Sequence, residues 1–233
     1  MKLKVLAICV SARTGGNTNF LLDEALEVID NMPFEIEVTK YSFSGKKFNS
    51  CCGCLKCYSN GGECVFRDDF EELRSLWLKA DCIIYSMPVY QAGMPGILKV
   101  FIDRLGNSLY GYNDISCMRH MKTMCVLAQG GDFPGGQEFC AFDVMRHAAM
   151  MDCIYIAPDN SYFGCGGWAD GPNGNELRLK KERNTDDIVL TIKNAKCVVK
   201  RSVEMAAIIK AGSEIMREYL EEDPYYEELY LEK

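Results

Sequence analysis

At 233 residues the chain can bury a full core but is too short for two large domains, so it is read as one domain over 1–233. Charged residues at 25% and hydrophobic residues at 48% are ordinary globular values, and a net charge of −7 without a basic stripe excludes a nucleic-acid surface. No run approaches the roughly 18 consecutive apolar residues of a membrane span, and thirteen cysteines without an export signal point to a reducing cytoplasm in which thiols stay unpaired.

Residues 3–10, LKVLAICV, form a nearly unbroken apolar run, the pattern of a strand covered on both faces. It opens into Ser11–Thr18, after which Phe20, Leu21, Leu22, Ala25, Leu26 and Ile29 recur at helical spacing. Residues 34–43 alternate as a second, more exposed strand, and a cysteine-rich loop over 45–67 hangs from its end. Asp68 and Asp69 open a helix, where carboxylates suit the dipole, with Phe70, Leu73, Leu76 and Trp77 on its inner face. Cys82–Ser86 reads as a third strand, broken by Pro88-Val89-Tyr90, and Pro95 starts a helix carrying Ile97, Leu98, Phe101, Ile102 and Leu105. A fourth strand over 121–128 leads through the glycine-rich 129–137 into a helix ending near Met150, and Cys153–Ala157 is the fifth strand. Pro158–Gly174 reads as a long loop over a site, and the last helix runs from near Asp186 to about Glu222, with a break expected near Gly212. The acidic, aromatic tail over 224–233 reads as a frayed end or, failing that, a subunit contact.

This alternation implies an α/β, doubly wound, five-stranded parallel sheet of order 2-1-3-4-5. Such sheets bind ligands at the carboxyl ends of strands beside the switch point, which makes the loops after strands one, three and four the candidates.

Five cysteines fall between Cys51 and Cys64. Cys51, Cys54, Cys57 and Cys64 read C-x2-C-x2-C-x6-C, a spacing that lets one loop turn four thiolates toward a common centre. Three consecutive short-spaced thiols favour a [4Fe-4S] cluster over zinc, whose sites usually pair two separated C-x2-C turns. A redox-active thiol group and unliganded cysteines stay open. Cys52 is left over, because it would crowd Cys54 on one centre.

The first loop lacks both the G-x-G-x-x-G fingerprint and the lysine of a P-loop. It offers the hydroxyls of Ser11, Thr14 and Thr18, the Asn17 amide, the Arg13 guanidinium, flexible Gly15 and Gly16, and a helix N-terminus: a nest for one terminal phosphate. FMN is the common cofactor with such a group, and a plain capped connection is the alternative.

With S-x-R-x-x-G-N-T at 11–18, C-x3-D-D at 64–69, P-V-Y at 88–90 and L-K-x-x-x-D-R at 98–104, the chain resembles the NADPH-dependent FMN reductase superfamily over residues 3 to about 150, and within it the iron-sulfur flavoproteins. The resemblance implies a flavodoxin-like fold binding FMN. Ser11, Arg13, Gly16, Asn17 and Thr18 would hold its phosphate, Pro88, Val89 and Tyr90 would line the isoalloxazine beside Gly93, and Gln129, Gly130 and Gly131 would meet the pyrimidine end. Tyr90 could instead cap the core. It further implies a [4Fe-4S] cluster on Cys51, Cys54, Cys57 and Cys64, with electrons passing between a ferredoxin-type protein or NAD(P)H and a small acceptor. Lys99, Asp103 and Arg104 read as structural or interfacial, as do His120 and His147, and no side-chain acid or base is assigned. The alternatives are a cluster-free NAD(P)H-dependent FMN or quinone reductase and a non-enzymatic flavodoxin-like carrier. Strand two is an edge, so its cysteine loop is expected to project sideways on the flavin rim. In a homodimer or homotetramer each cluster would then lie near another chain's FMN.

Overall fold

The computed structural model describes residues 2–33, 35–112, 119–159 and 164–229. Phe34 at the start of the expected second strand, residues 160–163 of the expected long loop and residues 230–233 of the tail lie outside the described residues.

The chain forms β1 (Lys2–Cys9), α1 (Asn17–Leu26), β2 (Glu35–Ser42), α2 (Phe70–Lys79), β3 (Cys82–Pro88), α3 (Gly96–Tyr112), β4 (Thr123–Gly130), α4 (Gln137–Met150), β5 (Ile154–Tyr155), β6 (Cys165–Trp168), α5 (Glu176–Arg183), α6 (Asp186–Ile215) and α7 (Arg217–Leu220). All strand pairings are parallel, in the expected order β2-β1-β3-β4-β5, with Val5 opposite Val38 and Cys82, and Ile84 opposite Cys125. Because side chains alternate across a strand, each central strand feeds two cores. Val5, Ala7, Ile84 and Leu127 pack against Leu21, Ala25, Val198 and Val199 of α1 and α6. Leu6, Ile8, Tyr85 and Val126 pack on the other side against Phe70, Trp77, Phe101 and Val144 of α2, α3 and α4. No helix among the described residues is long and apolar enough to cross a membrane.

Three expectations change. The fifth strand is two residues long and pairs with Thr123 and Met124; the chain then leaves the sheet and returns as β6, which pairs with Leu127–Gly130. Part of the expected loop is therefore strand, and its glycines mark close backbone approach rather than a turn: a Cβ on Gly164 would stand 2.5 Å from Val126 Cγ1, and one on Gly167 3.3 Å from Gln129 Cβ. A further helix, α5, precedes the last one and ends on Asn184 in the left-handed region. The long helix breaks at Met216, not Gly212, which lies within α6 with open space around it.

Candidate cofactor and cluster sites

The loop after β1 is built as an anion cradle. Gly15 turns it with φ +69°, Gly16 caps α1 in extended backbone, and the first turn of α1 carries no acid and leaves its N–H groups without intrahelical acceptors. Ser11 is buried, and its Oγ accepts the Arg13 N–H at 3.1 Å. Gln129 Nε2 on β4 donates to Thr18 Oγ1 at 3.0 Å, and Ser86 Oγ on β3 donates to the Thr18 carbonyl at 2.9 Å, which ties the ends of two strands to the first turn of α1. Arg13 reaches outward and donates to the Pro172 carbonyl at 3.1 Å.

Asn17 does a different job from the one expected of its side chain. Its Nδ2 donates to Glu176 Oε2 at 2.6 Å and its Oδ1 accepts the Leu177 N–H at 3.1 Å, so the amide clamps α5 onto the cradle. Only its backbone N–H, in the first helical turn, faces the role of anion donor. Glu176 also accepts the Asn173 and Gly174 N–H groups at 2.6 and 3.0 Å; burial disfavours its charge, but these bonds and Asn17 hold its pKa below the usual carboxylate range. Pro172, Gly174 and Glu176 escaped the sequence reading, although a G-P-N-G turn ahead of a helix-opening glutamate is a visible signal.

The loops after β3 and β4 interlock beside the cradle. Val89 N–H donates to the Gln129 carbonyl at 2.7 Å, and Tyr90 and Gly93 exchange bonds of 3.0 and 3.1 Å across left-handed Gln91 and Ala92. Tyr90 is 50% exposed, so it stands over the rim and does not cap the core. Gly130 lets Val89 approach, where a Cβ would be 3.2 Å away, and Gly136, at φ +107°, sits where a Cβ would meet the Ala92 backbone at 2.4 Å. Two further braces were missed: buried Gln137 donates to the Asp132 carbonyl at 2.8 Å, and Trp168 Nε1 on β6 donates to the Gly131 carbonyl at 3.0 Å. Hydroxyl, guanidinium and helix N–H donors at one end, with Pro88, Val89, exposed Tyr90 and glycine backbone at the other, fit a phosphomonoester carrying a flat ring.

The cysteine loop does not project sideways. It folds back over α2 onto the second half of α3, where Asn107 Nδ2 lies 3.6 Å from Cys51 Sγ and Cys57 Sγ lies 3.5 Å from the Asn107 carbonyl. Carboxylates opening α2 hold both its ends: Asp68 accepts the Asn49 N–H at 2.7 Å, Asp69 the Lys47 N–H at 2.8 Å, and Glu71 the Cys64 N–H at 3.0 Å. Arg74 Nε donates to Ser108 Oγ at 2.6 Å, and Ser108 donates onward to the Gly62 carbonyl. Gly111 on α3 completes the seat, because a Cβ there would meet Cys57 C and Tyr58 N at 2.8 Å. Left-handed Gly53, Leu55, Gly61 and Gly62 curl the loop so that Cys51, Cys52, Cys54, Cys57 and Cys64 line one cavity with Arg104, Asn107 and Ser108. The Lys56 backbone N–H pulls the Cys54 pKa down, whereas burial pushes that of Cys57 up. Among the described residues no three Cys, His, Asp or Glu side chains gather closely enough to chelate one ion. Five thiols dominate the potential metal ligands around the cavity, the set that suits an iron-sulfur cluster or zinc.

The two histidines belong to the core. His147 Nε2 lies 3.3 Å from the Tyr85 hydroxyl, and burial, with His120 adding to it, lowers its pKa to about 3. His120 meets Trp77 edge-on at 5.0 Å.

Residues 3–165 match the family model described as NADPH-dependent FMN reductase. An iron-sulfur flavoprotein of Archaeoglobus fulgidus is 42% identical over 103 residues, 44% of this chain and 46% of that one, so the match spans about half of that relative's length. An iron-sulfur flavoprotein of Methanosarcina thermophila is 30% identical over 162 residues, 70% of this chain and 81% of that one. The solved structure of RosB with bound 8-demethyl-8-formylriboflavin-5'-phosphate superposes with a TM-score of 0.62 at 17% identity, covering 93% of this chain and 87% of that one, a likeness of fold. The chain therefore belongs to the NADPH-dependent FMN reductase family of flavin-dependent oxidoreductases and, within it, to the iron-sulfur flavoproteins.

Proposed function

We propose that the protein is an FMN-dependent oxidoreductase that also carries a [4Fe-4S] cluster, and that it passes electrons between a ferredoxin-type protein or NAD(P)H and a small-molecule acceptor. The observation that carries this reading is the coexistence on one chain of an anion cradle at the sheet's switch point and a cavity lined by five cysteines seated on α3. Bound FMN supplies hydride and single-electron chemistry, and a cluster supplies single-electron transfer. The residues bind and orient. Ser11, Arg13, Thr18 and the first N–H groups of α1 take the phosphate, while Gly16 and Gly15 let the backbone approach it. Pro88, Val89 and Tyr90, held by Gly93, Gln129 and Gly130, set the ring's plane, and Gly131 is steadied by Trp168. Cys51, Cys54, Cys57 and Cys64 supply four thiolates.

The same geometry supports a closed homodimer or homotetramer. The flavin loop precedes α3 and the cysteine loop sits on its far half, so the 11 residue-to-residue rises from Gly96 to Asn107 put about 16 Å of helix between them. Exposed Leu55, Tyr58 and Val65 around the cavity offer apolar surface to a symmetric neighbour whose own flavin could come closer.

The test is an anaerobic absorption spectrum of freshly purified protein with flavin, iron and sulfide assays, and mass by light scattering. About four irons and four sulfides per chain beside one FMN are expected. Flavin without iron, bleached by NAD(P)H alone, would make the protein a cluster-free reductase. Flavin without turnover of either donor would make it a carrier.

A further inference from the structure

Among the described residues Arg104 is the one charged group in the wall of the cysteine cavity, and three of its five N–H donors are unused. It lies on the buried side of α3, 2% exposed, against the Phe70 ring with 4.2 Å from Cζ to the ring centroid. Its Nη1 is fully engaged, donating to Asp68 Oδ2 at 2.7 Å and to the Asn49 carbonyl at 3.2 Å. Nε and Nη2 are buried and have no acceptor. These two atoms form a single edge of the planar guanidinium, the edge that grips anions as a fork. A buried donor pair left empty costs free energy, so it calls for a partner. The cavity supplies one: Cys64 shares the wall with Arg104. Burial alone would lower the Arg104 pKa, but the Asp68 bond and then the Cys64 sulfur outweigh it and raise it.

The rest of the surroundings fixes the orientation. Asp68 itself is clamped by Asn49 N–H at 2.7 Å, Asn49 Nδ2 at 2.8 Å and Phe70 N–H at 3.2 Å, so the guanidinium cannot swing away without breaking this knot. Asp68 uses the Nη1 side and thereby leaves the Nε–Nη2 edge for the cavity.

We propose that Arg104 is a positioning residue for the metal centre: its Nε–Nη2 edge donates N–H···S hydrogen bonds to the Cys64 thiolate and so raises the cluster's reduction potential. This rests on the cluster reading above. Adding one electron adds one negative charge to the thiolate-bound centre, and a fixed cation with two donors inside a buried wall stabilises that state more than the oxidised one. Asn107 Nδ2 beside Cys51 acts in the same direction as a neutral donor.

The experiment uses the anaerobically purified holoprotein. Iron, sulfide and flavin are counted first, and a preparation with flavin but no iron would overturn the cluster reading and this inference with it. The cluster is then reduced with dithionite in protein labelled with 15N-arginine, and hyperfine coupling to nitrogen is read by pulsed EPR. A 15N coupling that survives Arg67→Lys is expected; its absence in iron-replete protein overturns the role of Arg104 alone, whether or not any variant folds. Mediated redox titration of Arg104→Gln should show at least tenfold less reduced cluster at a fixed poise, which is 59 mV for one electron. Arg104→Lys should shift the same way by less, with flavin content and potential unchanged in both. Iron-replete variants whose cluster potentials match that of the unmodified protein would leave Arg104 as an anchor for Asp68 and nothing more.

Discussion

Gly111→Ala separates the stability of a helix from the seating of the loop that rests on it. In an isolated helix the change is favourable, since alanine exceeds glycine by about 1 kcal/mol in a helix interior. Here the new Cβ would stand 2.8 Å from Cys57 C and Tyr58 N and 2.9 Å from the Cys57 carbonyl oxygen. Those are backbone atoms, which cannot rotate aside, and ordinary contact begins near 3.5 Å, so the loop must lift by roughly half an ångström or more. Overpacking of this kind costs about 1–3 kcal/mol. The cost falls on the 3-10 turn over Lys56–Ser59, not on the sheet, because Gly111 lies near the end of α3 and the sheet core packs on Leu98, Phe101 and Leu105. Hydrogen exchange at residues 56–62 should therefore accelerate about 5- to 150-fold, the equivalent of that cost. The thermal midpoint should stay level or rise, and iron per chain should fall. Unchanged exchange at 56–62 with full iron would refute the reasoning, as would a large loss of global stability with the loop undisturbed.

Replacing Arg13 and Thr18 together by alanine should weaken FMN binding, since each charge-assisted bond to a phosphate is worth about 1.5–3 kcal/mol, or roughly 10- to 100-fold; stoichiometric FMN in the double variant would sink the assignment. Serine at Cys51, Cys54, Cys57 or Cys64 should remove iron, while Cys52→Ser should keep it, and the reverse pattern for Cys51 and Cys52 would put the ligand register one residue off. His147 is held neutral in the fold with its pKa lowered to about 3, so its contribution is intact above the ordinary value near 6.5 and is lost as pH falls from there toward 3. By pH 5 that loss is about 2 kcal/mol, so denaturant melts at pH 7 and 5 should differ less in His147→Asn than in the unmodified protein; equal differences would show that His147 does not titrate across this range.

Much of the site was legible in the residues because local chemistry writes local signals. A buried parallel strand needs an apolar run, and LKVLAICV supplied it; an anion cradle needs glycines, hydroxyls and a helix start, and residues 11–18 supplied those. The C-x3-D-D spacing was visible too, and its reason is now plain, since Asp68 and Asp69 must clamp Asn49 and Lys47 for the loop to close. What the sequence could not show was any choice between partners distant along the chain. Gly166 and Gly167 look like turn residues until β4 lies beside them, because a glycine records only that space is short and not what fills it. Asn17 looks like a phosphate ligand until Glu176, 159 residues later, takes its amide. The cysteine loop looked free to project from an edge strand until Ser108 and Gly111 gave it a seat, and Arg104 looked like one more helix cation until burial against Phe70 and pairing with Asp68 put it in the wall of the cysteine cavity with Nε and Nη2 unpaired. Strand pattern and cradle are set by neighbours within a few residues, whereas burial, clamping and orientation are set by contacts that exist only once the sheet has brought remote segments together.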